Sequence, residues 1–362
     1  MIPLLLAAVL ALPAAPPIES ARASANERLL ARMGAERGLS PAQLERVRAV
    51  FAGSRRIGQG NPALSVHPQT EAQCAAALAQ RPLPFAHDPR FEERCGGKHL
   101  APLYDPRTQT LAEARACIDT FEYPDLPCAY PVVWVRPREA ALLCEAEGKR
   151  LCDAHEWEGA CAGALEPADY RFELAKGVSW RQAPARMRAA HNRARAPGKR
   201  WSYGPAPRKG ICATEGRKTP GCDGGDYQGC GSNTFPAGAH PGCVSPLGVY
   251  DLDGNVAEEM NLPLAPEEEA SLARGGGEGG PLGVTELKGS WFVFDQTPAH
   301  PDWCRWRAPF WHGTRTRAAD SHANYHLGFR CCKTLPGPAA ASPATSPATP
   351  PAPPPEGSPP RR

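Results

Sequence analysis

The chain has 362 residues, with 41 Lys and Arg against 38 Asp and Glu, a net charge of only +3. The arginines are scattered and no basic run alternates with aromatics, which argues against a nucleic-acid partner. Glycine (35), proline (42) and cysteine (14) are abundant, so the composition points to irregular, loop-rich backbone rather than long helices or strands.

Ile2 to Ala15 is apolar, too short to span a bilayer and interrupted by Pro3 and Pro13. Ala21-Arg22-Ala23 follows as a cleavage pattern, so residues 1–23 read as a secretory signal, although without a basic start. Export to a periplasmic or extracellular compartment agrees with the cysteine count, most of which is then expected as disulfides. Residues 24–111 read as a helical and irregular extension. Its Asn26–Arg37 segment places Leu29, Leu30 and Met33 on one stripe, and Ser40-Pro41 opens a second helix with Gln43 at the capping position. Packing of this hairpin against the main domain is the expectation. His67, His87 and His99 have no compact ligand spacing and read as surface residues.

Residues 112–334 form the informative segment. Cys117–Tyr123 and Tyr130–Val135 read as strands. Pro137 opens a helix with Ala140, Leu143, Cys144 and Glu147 on one side, stopped by Gly148. Asp153 caps another, with Glu156 reaching back and Gly163 closing it. The stretch 166–243 shows little periodicity, and 263–283 reads as an acidic, Gly-rich mobile loop. The Pro, Ala, Ser and Thr tail, 335–362, lacks the bulky apolar residues needed to order it.

Four fragments in order carry a resemblance. These are Gly148-Lys149-Arg150-Leu151 with Glu156-Trp157-Glu158; the Gly248–Glu258 run with Gly254-Asn255 at its centre; Lys288-Gly289-Ser290-Trp291; and Gly328-Phe329-Arg330-Cys331. Together they resemble the formylglycine-generating-enzyme, or sulfatase-modifying factor, family over about residues 117–332. The third run departs from it, with Lys288 where the family has glycine. The resemblance implies an α+β fold, C-type-lectin-like, disulfide-braced and with little regular secondary structure. It also implies the pairs Cys144–Cys331 and Cys161–Cys304, each closing a loop long enough to stabilise by about 4–5 kcal/mol in the chain-entropy description. The pairing of the other ten cysteines stays open.

By the same resemblance, Asp251 and Glu258 side chains and the Gly254 and Val256 carbonyls would bind calcium, an ion that takes oxygen donors. The alternative is a turn held by Asp and Asn side chains alone. Gly224-Gly225-Asp226 is too ambiguous for a second calcium site. The family oxidises a substrate cysteine with oxygen and copper(I) held by two thiolates, the first two residues past the Gly-Gly-Ser-aromatic run. Val293 stands there, and no cysteine lies between Trp291 and Trp303. Copper is therefore not expected and no catalytic residue is assigned. The function expected is a non-catalytic binding or scaffold module; the alternative is an oxidase using another metal site, drawn from His300, His312, His322, His326, Asp295, Asp302 and Asp320. Ser290, Trp291, Trp303, Arg305 and Trp306 form a candidate pocket, with Arg307, Phe310 and Trp311 beside it, for a peptide or glycan. Nothing in the sequence specifies the oligomeric state.

Overall fold

A computed structural model describes residues 17–275, 279–308 and 314–336. Most of the expected signal segment, the tail beyond 336, and the expected site residues Phe310, Trp311 and His312 lie outside the described residues. No helix among the described residues is long and apolar enough to cross a membrane.

The extension begins with α1 (Ile18–Arg37), which starts earlier than its apolar stripe suggests and includes the Ala21-Arg22-Ala23 pattern. Then comes α2 (Pro41–Ala52), capped reciprocally by Ser40 and Gln43. Leu29, Leu30 and Met33 of α1 and Val47 and Phe51 of α2 share one core with α5 (Pro137–Ala146), through Ala140, Leu143 and Cys144. The irregular stretch after α2 contains two further helices. One is α3 (Glu71–Gln80), with a Thr70–Gln73 capping box, and the other is α4 (Pro89–Cys95), opened by Asp88 and Pro89.

The extension also supplies a strand. β1 (Leu100–Leu103), β2 (Ala116–Asp119), β7 (Cys331–Thr334) and β3 (Arg150–Leu151) form one antiparallel sheet in that order. Cys74–Cys128 and Cys95–Cys117 cross the same junction. The division near residue 111 is thus not a boundary between separate cores. A second sheet has β4 (Ala257–Leu262) at its centre, antiparallel to β5 (Val284–Lys288) and parallel to β6 (Leu327–Gly328). Between the sheets lies α6 (Ala154–Ala162), capped by Asp153 and Glu156 and ended by Gly163 in the left-handed region.

Three expectations are corrected. The segment 130–135 is buried but is not a strand: its successive N–H groups donate to Tyr123, Gly58 and Asn324, three separate segments, so no ladder forms. The first strand stops at Asp119, because the Phe121 N–H turns to the Asp125 carboxylate. Within 263–283, α8 (Pro266–Ala273) forms and buries Leu272. The aperiodic stretch likewise contains α7 (Ala183–Arg195), whose inner face carries Arg188 and His191 beside Met187. Charged residues on an inner face hide the apolar period that would reveal it.

Met33 is fully buried between the extension and α5. Its replacement by alanine should cost about 2–5 kcal/mol in urea unfolding, as for a buried Met in a shared core. A separately folding extension would instead give a second transition.

Candidate functional site

The signature segments converge on one guanidinium. Arg330, fully buried between β6 and β7, places Nε 2.8 and 3.0 Å from the two Glu258 carboxylate oxygens. Its Nη1 donates to the Asp119 and Thr120 carbonyls, and its Nη2 to the Tyr250 carbonyl. Trp157 of α6 donates its indole N–H to Glu258 at 2.9 Å. The loop before β4 is tightly curled, with Asp251 and Asn255 both at φ 60°. Gly254 (φ 147°) abuts Ala213, where a Cβ would lie 2.9 Å from a carbonyl oxygen, and Gly289 abuts Leu252 in the same way. Only glycine allows either approach.

Glu122 completes this centre. Its carboxylate accepts from the Val256 N–H (3.0 Å) and the Asn255 amide (2.6 Å), while Asp251 accepts from the Gly238 N–H (2.6 Å). Three buried carboxylates therefore face one arginine. Burial, then the neighbouring Asp251, drives Glu122 well above the usual carboxylate range; burial raises Asp251, and burial against the pull of Arg330 raises Glu258 to about 7. The donor set is all oxygen, which suits a hard cation, and burial favours the neutral carboxyls until a cation or Arg330 offsets it. Glu258 Oε2 already accepts from both Arg330 and Trp157, while Oε1 accepts from Arg330 alone and retains a further lone pair.

At the expected copper position, Val293 is 1 % exposed and lies in a turn where its carbonyl accepts from Thr297. Cys304 is bonded to Cys161, and Cys144 to Cys331. All fourteen cysteines are paired. The remaining bonds are Cys152–Cys332, Cys212–Cys243 and Cys222–Cys230, besides the two that join the extension to the main domain. Among the described residues, the compact groups of three metal-type side chains are Cys152–Glu156–Cys332 and Cys161–Asp253–Cys304, and in each both sulfurs belong to a disulfide. The C-terminal histidines sit among aromatics: His300 stacks on Trp306 and His326 on Trp291, and burial lowers His300 and His322 below the ordinary imidazole range. Asp302 is held by the Trp201 indole at 2.8 Å.

Residues 113–335 match the family model described as the sulfatase-modifying factor enzyme 1-like domain. The chain belongs to this family. Its fold is similar to that of CarF, at 14 % identity over 66 % of this chain and 96 % of that one, with a TM-score of 0.29. It is similar also to PvdO from Pseudomonas aeruginosa, at 15 % identity over 65 % and 90 %, with a TM-score of 0.27. No curated protein matches the sequence.

Within this sulfatase-modifying-factor-like domain, the candidate pocket residues do not share one open wall. Ser290, Trp291 and Trp303 are buried and Trp306 is half-buried. Trp291 packs edge-on against Phe294 and beside His300, so these rings use their faces on one another. Arg305 lines a separate cavity behind Cys161–Cys304. Arg307 is bound to Glu158 at 2.8 Å, beside Lys288 and His191. Sequence reading missed this ionic cluster and Glu122. A Glu after an apolar strand is their only local signal, and its partners are over a hundred residues away.

Arg330→Leu should cost about 3–5 kcal/mol in denaturant unfolding, because it leaves Glu258 buried without its cation. Several acids are protonated in the fold but ionised when unfolded. Burial, with little opposing it, puts Glu259 well above the usual range; burial puts Asp153 and Asp253 at about 7. Raised folded-state values mean stability is full below about pH 4 for these groups and lost as pH rises through 7. Without added metal, Tm should fall between pH 5 and 8; a flat or rising profile would contradict these assignments.

Proposed function

We propose that the chain is an exported, non-catalytic member of the family, a binding or scaffold module on a retained fold. The sulfur inventory supports this most directly. Valine occupies the position of the first copper thiolate, and every cysteine is in a disulfide. Copper(I) is soft and requires thiolate donors, which a disulfide does not supply. Seven disulfides also favour an oxidising compartment, hence export. The alternative, oxidation at another metal site, finds no support in the compact clusters, since both contain bonded sulfurs.

In this reading calcium belongs to the loop before β4, held by Asp251 and Glu258 and the Gly254 and Val256 carbonyls. The gathering of three buried carboxyl groups around a single guanidinium supports it, and the ion would brace the loop structurally.

Thiol titration of unreduced, denatured protein should find no free sulfhydryl. The protein should neither compete for copper(I) with a strong chelator nor consume oxygen with a cysteine peptide. Aldehyde formation on that peptide would overturn the proposal. After chelation, calcium but not magnesium should raise Tm, by about 2–3 kcal/mol of stability at a hundredfold excess over Kd. Asp251→Ala should abolish that rise.

A further inference from the structure

Behind Cys161–Cys304, where the end of α6 approaches the end of α7, lies a cavity of about 500 Å³ that neither the thiol chemistry nor the calcium loop involves. Arg107, Arg195, Arg200 and Arg305 line it, with Glu166 as the one acid and Pro246 on an otherwise small, uncharged wall. Two of these cations are balanced from outside: Arg107 by Asp105 at 2.8 Å and Arg195 by Asp169 at 3.1 Å. Glu166 is shared among Arg195 (2.6 Å), Arg107 (3.0 Å) and Arg305 (3.5 Å). One carboxylate cannot also neutralise both Arg200 and Arg305. The cavity is short of one negative charge.

The hydrogen bonds show the same deficit. Arg305 is 7 % exposed; its Nη2 donates to the Ala164 carbonyl at 2.9 Å, but its Nη1 has no acceptor. The Nε of Arg200 is also buried without one. Buried N–H groups on cations are among the costliest to leave unpaired. Both residues are fixed beforehand, because the Cys304 N–H donates to the Arg200 carbonyl at 2.8 Å and Cys304 is tied to α6. Burial pulls Arg305 below the ordinary arginine range despite Glu158 and Glu166.

We propose that this cavity binds a small organic oxyanion, a carboxylate or sulfate ester, whose oxygens accept from Arg305 and Arg200 and whose charge fills the deficit. Guanidinium groups match such oxyanions in shape as well as charge. The volume lies within the range of about 300–1,000 Å³ common for small-molecule sites, and the Pro and Ala wall suits the face of a ring. The inference is independent of whether the domain is catalytic.

Calorimetric titration of the disulfide-intact chain with sodium glucuronate, sodium sulfate and neutral glucose tests it. The expected result is saturable binding of glucuronate or sulfate, none of glucose, and affinity that weakens with added salt as charge is screened. Whichever anion binds more tightly distinguishes carboxylate from sulfate as the recognised group. Arg200→Gln should weaken binding about tenfold, the loss of roughly one charged hydrogen bond. Arg107→Gln should weaken it less, and exposed Arg208→Gln should leave it unchanged. Since Arg305→Met removes a buried side chain, it is read only alongside a circular dichroism spectrum. The proposal fails if neither anion gives saturable heat at millimolar concentration, or if Arg200→Gln, folded as wild type, binds equally well.

Discussion

The Arg330 guanidinium is cut off from water and must find acceptors for its N–H groups within the protein. It finds them on Glu258 in β4, on the carbonyls at the end of β2 and on Tyr250 before the curled loop that leads into β4. Two segments more than a hundred residues apart, 119–120 and 250–258, must therefore present oxygen to one point. That requirement sets the parallel contact of β4 with β6 and the path of the following strand. Immediately after Arg330, Cys331 and Cys332 are bonded to Cys144 on α5 and Cys152 after β3, so the same turn anchors both sides of the sheet. The Cys331 N–H donates to Asp119 at 2.9 Å, closing the arrangement.

Charge in this interior is abundant and unevenly matched. Glu158 is well compensated: burial opposes its ionisation, yet Arg307, Lys288 and His191 around it hold it well below the usual carboxylate range. Around Arg330 acids are in excess, and behind Cys161–Cys304 arginines are. A compensated cluster is what structure alone requires, because removing ions from water is costly unless they are paired.

The frame of this domain does not depend on the side chain at position 293. Disulfides, capped helices and the Arg330 centre hold the frame, and none of them passes through Val293. A valine there fills its space in the turn after Trp291 and joins the aromatic core. Chemistry lodged on one segment of such a frame can be lost without loss of the frame.

Local signals made several elements legible: Ser40 and Gln43 for α2, Pro137 and Gly148 for α5, Asp153, Glu156 and Gly163 for α6. Each is a capping or terminating interaction completed within a few residues, so the chain declares it locally. The signature fragments likewise declared the family. The strand expected at 130–135 and the helix at 183–195 were misread because their outcome rests on partners elsewhere. Val132, Val133 and Trp134 each bond a different segment, and Arg188 is buried because Glu286 meets it at 2.6 Å. Which cysteines pair beyond the two expected bonds, that Trp291 faces inward, and that four arginines share one cavity were decided only by tertiary structure. Such facts depend on which segments the folded chain brings together in space, and spacing along the sequence does not encode that proximity.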